Sequence, residues 1–477
     1  MVTPTTKGTP VPIPLDPTST AFLVAENRTM PMHVAALQIF RTPPEAGEDY
    51  VRSVYEQMIG VEEIEPLFLR RPHRSPRTAG QWTWVPDDQF DIEYHVRHNA
   101  LPRPGRIREL LELCSRLQGQ RLSRERPLWE AHVIEGLPDD QWALYIKMHH
   151  SLVDGVAAVR LLRTMLTDDP DRRDVPVLWA KRDPEQAATR RPSGGAGIGS
   201  QALRAARSLT ADAVGMPAAL SRTLLGSLRN ETSAVALNAP RTMFNTSITG
   251  SRRFAAQGWS MQRLRGVATA TRTTLNDVVL AMCSGAVRDY LLDHDALPDR
   301  TLVSMVPVSL HAGGDEASSS GGNSVGSVMV QLGTHLADPA DRLDAVHRSM
   351  QEGKQTLGTM TPTQILAMSA IGLAPAVINP ALRVHELVRP PFNLIISNVP
   401  GPKQKQYHNG AELVGLYPLS IPLQGMALNI TCASYGGDDG EMDFGLTGCR
   451  RAVPSLQRLL TGLDEELTRL EEVAGTR

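Results

Sequence analysis

Between Trp142 and Leu166 the hydrophobic period of the chain switches once, and that switch limits the possible folds more than any other stretch. Trp142, Leu144, Ile146 and Met148 alternate with Ala143, Tyr145 and Lys147, the two-residue period of a strand with at least one buried face. Val156, Val159, Leu162 and Leu166, with Ala157, Ala158, Leu161 and Met165 beside them, follow the helical period. A strand passing through a short turn into a helix is an α/β unit. The turn itself reads His149-His150-Ser151-Leu152-Val153-Asp154-Gly155.

At 477 residues the chain is too long for one ordinary hydrophobic core, so two or three domains are expected. Residues 1–15, rich in Pro and Thr, read as a disordered tail. Residues 16–185 mix strand and helix signals and hold the histidines, forming an N-terminal α/β domain. Residues 186–250 read as a linker with amphipathic helices: a Gly/Ser stretch from Arg190 to Gly199 is followed by an Ala/Leu/Arg-rich run from Ser200 to Asn230, broken at Pro217. That run is either packed on the domain surface or seated on lipid. Residues 251–477 form a second α/β domain. Its expected elements are a helix from Thr274 to Leu292, strands at Leu302–Val308, Val328–Leu332, Asn393–Ser397 and Leu428–Tyr435, a helix after Asp338-Pro339 and a last helix from Ser455 to Glu472.

A histidine pair at the end of a strand joins a rigid support to an accessible turn, which suits a group that must hold still and meet substrate. Imidazole titrates at about 6.5 and is largely neutral near pH 7, able to take a proton from an alcohol and later release it. Adjacent strand residues face opposite ways, so one histidine serves as base and the other as support. Two other readings compete with this one. The pair could be hydrogen-bonded core, or His150 and Asp154 could reach a cation, although no HxH or HExxH spacing accompanies them and no metal is expected.

Other classes of function find little support. A net charge of -2 lacks the basic excess of a nucleic-acid-binding protein. Cys114, Cys283, Cys432 and Cys449 are far apart, without a CxxC pair, and read as reduced packed thiols. Ser324 stands in a GxSxG string but follows a Gly/Ser loop rather than a buried strand, so no nucleophile elbow is expected. No signal-peptide core opens the chain, and the uncharged stretch from Gln355 to Leu382 holds three prolines, so a cytoplasmic protein without a membrane span is expected.

With the HHxxxDG string in place, the chain resembles the bacterial wax ester synthase/acyl-CoA:diacylglycerol acyltransferase family. Further matching segments follow in order: Pro31-Met32-His33-Val34, Arg126-Pro127-Leu128-Trp129-Glu130, Asn276-Asp277, Pro307-Val308-Ser309-Leu310, Ser397-Asn398-Val399-Pro400-Gly401-Pro402 and Leu428-Asn429-Ile430 with Ser434-Tyr435. The resemblance implies two chloramphenicol acetyltransferase-like, CoA-dependent acyltransferase domains with an active-site channel between them. It implies an O-acyltransferase that moves a long-chain acyl group from acyl-CoA to diacylglycerol, to a long-chain alcohol or to both, without an acyl-enzyme and with acyl-CoA as co-substrate rather than a cofactor.

On this resemblance His150 is the base, His149 its support and Asp154 a brace for the loop. Gly155, Pro127, Leu128, Trp129, Asn276 and Asp277 line the substrate channel. Locally, Trp129 also reads as a core indole, Asn276-Asp277 as part of a helix cap, His33 as a packed residue and Ser397 to Pro402 as a rigid turn. The resemblance further implies peripheral attachment to a membrane or lipid-body surface. Two departures stand out: His311 replaces an expected arginine, and Cys449 and Ser455 stand where aspartate is frequent. A non-catalytic lipid-body protein, and an acyltransferase using another alcohol or a carrier-bound acyl donor, are the alternatives.

Overall fold

The computed structural model describes residues 13–78, 80–153, 155–181, 239–309, 325–359 and 389–476. Asp154, most of the 186–250 linker, His311, Ser324 and the greater part of the Gln355–Leu382 stretch lie outside them.

The first half runs β1 (Ile13–Pro14), α1 (Pro17–Ala25), β2 (His33–Arg41), α2 (Tyr50–Ile59), β3 (Arg70–Arg74), β4 (Trp82–Pro86), α3 (Ile92–His95), β5 (Val96–Ala100), α4 (Ile107–Gly119), β6 (Trp129–Glu135), β7 (Gln141–His149) and α5 (Gly155–Arg163). The second runs β8 (Arg252–Ser260), α6 (Met261–Thr271), α7 (Leu275–Leu292), β9 (Val303–Ser309), β10 (Val325–Gln331), α8 (Pro339–Gly358), β11 (Leu394–Val399), β12 (Tyr407–His408), β13 (Ala411–Leu419), β14 (Leu428–Tyr435), β15 (Glu441–Cys449) and α9 (Arg458–Ala474).

Local chemistry explains several boundaries. Asp16 accepts the Ser19 N–H at 2.9 Å and Pro17 occupies the first turn, so α1 starts where a side-chain cap and a fixed φ coincide. Asp338 and Pro339 start α8 in the same way. Thr274 and Asp277 close a reciprocal capping box on α7, which is buried along most of its length and packs against α8 and α9.

Among the described residues two six-stranded sheets carry the fold. One has the order β12-β13-β2-β7-β6-β5, the other β10-β9-β11-β14-β15-β8, and a small sheet joins β1, β4 and β3. Ile13 and Pro14, assigned to the tail by composition, therefore belong to a sheet, paired with Trp84 and Thr83. β12 and β13 come from the second half of the chain but pair into the first sheet, β13 alongside β2. The second half of the sequence thus contributes a strand segment to the first sheet, across the division at residue 250. The Ser397–Pro402 turn is also corrected: Ser397, Asn398 and Val399 finish β11, in parallel register with β14, and only Pro400, Gly401 and Pro402 lie beyond the strand.

Both faces of β7 are buried. Trp142, Leu144, Ile146 and Met148 join a core with Phe40, Trp129, Trp179 and Leu162. Ala143 and Tyr145 face α4 and Phe254 of β8. The Phe254 N–H donates to Ser115 Oγ of α4 at 2.8 Å, tying that layer to the second sheet. All four cysteines are buried free thiols.

Candidate active site

β7 ends at His149, and the chain turns there in a single tight step: the Leu152 N–H donates to the His149 carbonyl at 2.9 Å. The His149 N–H donates to the Leu128 carbonyl at 3.0 Å and the His150 N–H to the Met32 carbonyl at 2.8 Å. The residues just ahead of β6 and β2 therefore hold the backbone of both histidines, and both side chains meet α1 or its cap, His149 toward Glu26 and His150 toward Phe22.

His149 has no exposed surface. Its Nδ1 accepts the Ser151 N–H at 3.0 Å, with Ser151 Oγ 2.7 Å away, so the neutral ring carries its proton on Nε2. Nε2 faces Glu26 Oε1 at 3.6 Å, long for a hydrogen bond but well within electrostatic reach. Glu26, the cap residue ending α1, also accepts the Met32 N–H at 3.3 Å and is gripped by Arg124 through Nε at 3.2 Å and Nη2 at 3.1 Å. Burial alone would raise the Glu26 carboxyl, but His149, the Met32 amide and Arg124 outweigh it and hold it below the usual range.

A buried polar layer continues beneath α4. Lys147, two residues before His149 and fully buried, donates to the Leu117 and Gln120 carbonyls at 3.1 Å each and pairs with Glu130 at 3.2 Å. Glu130 would be pushed up by burial, yet His132, Lys147 and Arg97 bring it down to about 2. Across the sheet His33 lies opposite His149, and its Nε2 donates to the Gln118 carbonyl at 2.9 Å. Burial, with the Lys147 charge beside it, pushes the His33 imidazole well below its ordinary value and keeps it neutral. His33 is packed, as its place in the sequence suggested.

His150 is different: it is half-buried rather than enclosed. The Phe22 ring of α1 stacks on it with centroids 4.2 Å apart and planes 24° from parallel. Ser19 Oγ donates to the Ser151 carbonyl at 2.9 Å, so α1 is fastened to the turn at both ends.

The other expected site residues spread further. Pro127, Leu128 and Trp129 are buried; the Trp129 indole donates to the Phe68 carbonyl at 2.9 Å and stacks on Trp179 and His95, while Leu128 reaches the site through its carbonyl on His149. Gly155 is the first residue of α5. Asn276 is half-buried, and Asp277 is buried at the start of α7, bonded to the Thr274 N–H at 2.9 Å and facing His347 Nδ1 at 2.8 Å. Sequence reading missed Glu26, Arg124, Ser151 and Phe22. Ser151 lies inside the string itself, and the only signal from Glu26 was an acidic residue closing an otherwise uncharged apolar helix. Among the described residues no cluster of three or more His, Cys, Asp or Glu could hold a metal ion, and no helix is long and apolar enough to cross a membrane.

Comparison with known proteins agrees with this architecture. Residues 15–279 match the wax ester synthase/diacylglycerol acyltransferase catalytic domain and residues 321–471 the C-terminal domain of the same family. A Mycobacterium tuberculosis protein named as a probable diacylglycerol O-acyltransferase is 44% identical over 459 residues, covering 96% of this chain and 99% of that one. The solved wax ester synthase/diacylglycerol acyltransferase from Marinobacter aquaeolei VT8 superposes with a TM-score of 0.77 at 41% identity, over 97% of this chain and 100% of that one. The starter condensation domain of rhizomide synthetase, at 13% identity and a TM-score of 0.55 over 97% and 94% of the two chains, shares the fold alone. The chain belongs to the wax ester synthase/diacylglycerol acyltransferase family.

Proposed function

We propose that this acyltransferase moves a long-chain acyl group from acyl-CoA to the hydroxyl of diacylglycerol or of a long-chain alcohol, with His150 as general base. The observation that carries the reading is the unlike environment of two adjacent histidines: His149 enclosed between Ser151 and Glu26, His150 half-buried with its backbone fixed on Met32. A base must be held and still be reachable, and only His150 meets both conditions.

In the reaction His150 takes the hydroxyl proton as the alcohol oxygen attacks the thioester carbonyl. The C–S bond then breaks, and the same proton passes to the departing CoA thiolate, leaving an ester and free CoA. No acyl-enzyme is needed. His149 fixes the turn through Ser151 and Glu26, and Asp154 is assigned the brace of the same loop. Pro127, Leu128 and Trp129 act behind the histidines, as the wall that carries the Leu128 carbonyl. Asn276 and Asp277 are the contribution of the second half to the channel, set by the capping box of α7. An apolar acceptor resides in a membrane or lipid body, so the enzyme works at such a surface from the cytoplasmic side.

The test is purified protein with palmitoyl-CoA, offered hexadecanol and dioleoylglycerol in competition, with thiol release measured and the esters separated. His150→Ala in a folded protein should lose about 10²–10⁴-fold in kcat. Full turnover by that variant refutes the assignment, and thiol release without an ester product refutes the transfer.

A further inference from the structure

The family string accounts for the base but not for what orients its ring. The His150 N–H bond to Met32, at 2.8 Å, fixes the backbone of this residue. Phe22 lies over the imidazole at 4.2 Å, near enough to parallel (24°) to cover one ring face. α1 has little freedom to carry that ring away: Leu23 is in the core, Asp16 caps the helix, Ser19 is bonded to Ser151 and Glu26 is locked to Arg124.

We propose that Phe22 is a positioning residue for the reaction, holding the imidazole plane of His150 so that a ring edge meets the acceptor hydroxyl. The inference rests on the reading of His150 as base. Phe22 exchanges no proton and makes no bond; it confines the ring before the alcohol arrives and presents an aromatic face to the imidazolium that forms when the proton is taken. Stacking is favourable for neutral rings, and a π-face also attracts a cation, so both states of the base are held in one plane. Such a contact acts on the chemical step far more than on substrate affinity.

The experiment compares Phe22→Leu, Phe22→Met and Phe22→Tyr with the unaltered chain and with His150→Ala, measuring kcat, KM for palmitoyl-CoA and hexadecanol, and the thermal midpoint of each. Leu and Met keep apolar bulk without a ring face, and kcat should fall about three- to tenfold with both KM values within about twofold. Tyr keeps the ring and should restore kcat to within about twofold of the original. A kcat unchanged in a folded Leu or Met variant overturns the inference, as does a loss confined to KM or a Tyr variant as impaired as Leu. His150→Ala inactive beside a fully active Phe22→Leu removes only the role of Phe22. Turnover retained by His150→Ala removes the base assignment, and this inference with it.

Discussion

Replacing Glu26 by glutamine preserves the outline of a side chain that is 1% exposed and changes only what it can accept. Every polar neighbour of this carboxylate is a donor: the Met32 N–H at 3.3 Å, Arg124 Nε and Nη2 at 3.2 and 3.1 Å, and the His149 Nε2 edge at 3.6 Å. A glutamine has one oxygen and one NH2, so whichever way the amide turns it sets donor against donor. With the NH2 toward Arg124, two charge-assisted bonds go; turned over, it opposes Met32 and His149. Removing one partner of a buried ion pair costs about 3–5 kcal/mol, and bonds to charged groups about 1.5–3 each. Arg124 is 31% exposed, so water recovers part of its charge and the expected cost is about 2–3 kcal/mol.

The functional effect follows from geometry. Met32 supplies its N–H to Glu26 and its carbonyl to the His150 N–H, so a shift at Glu26 moves the support of the base. A displacement of about 1 Å at a reacting group costs up to about 10²-fold. Glu26→Gln should therefore lower kcat by about 10- to 100-fold with little change in KM, and lower the thermal midpoint at pH 7. Since the native carboxyl is held below its unfolded value, its stabilisation is present above the unfolded pKa of about 4.3 and is lost as pH falls through the native one. The gap in thermal midpoint between the two proteins should then narrow on going from pH 7 toward pH 4. Equal kcat and equal midpoints at pH 7, or a gap that widens on acidification, would refute the reasoning.

Gly445 of β15 comes so close to β13 that a Cβ there would sit 1.9 Å from the Pro418 carbonyl oxygen, and backbone cannot swing aside. Gly445→Ala should cost at least about 1–3 kcal/mol, read as a lower thermal midpoint, and an unchanged midpoint would show that β13 can slide. Asp443 is buried, its carboxyl pushed up to about 8, with Oδ2 accepting the Leu416 N–H at 2.7 Å. A raised native pKa means that stability is greatest below the unfolded value and declines as pH rises through about 8, so Asp443→Asn should melt above the original chain at pH 8 and converge with it near pH 4.

The legible parts of this fold are those whose signal is local. The capping box at Thr274, the Asp338-Pro339 helix start and the run from Leu428 to Tyr435 announce their elements within a few residues, and the structure places α7, α8 and β14 there. The crossing of β12 and β13 into the first sheet has no such signal. Ala411–Leu419 alternates weakly, carries Pro418 and a register shift between Leu413 and Gly415, and finds its partner in β2 several hundred residues earlier. The same limit applies to the site. HHxxxDG is contiguous and stands out, whereas Glu26, Arg124 and Phe22 reach it only through folding, over sequence separations that no periodicity spans.

Those long separations converge on one short loop. Between Glu26 and Met32 the chain contacts His149, Arg124 and the His150 amide from the first half, and it is also held by the second: Arg252 of β8 donates to the Thr29 carbonyl at 2.8 Å and Gln424 to Thr29 Oγ1 at 2.7 Å. Gly250 passes so near that a Cβ would meet the Arg28 carbonyl oxygen at 2.6 Å. The support of His150 is therefore shared by both halves of the chain, and the loop can hold its position only when the second sheet is in place against it. Interiors this closely packed transmit displacement rather than absorb it, so a change at Arg252 or Gln424, far from the histidines in sequence, reaches His150 through Thr29 and Met32. The second half of the chain thus completes the mounting of His150, the residue proposed as base, on the first.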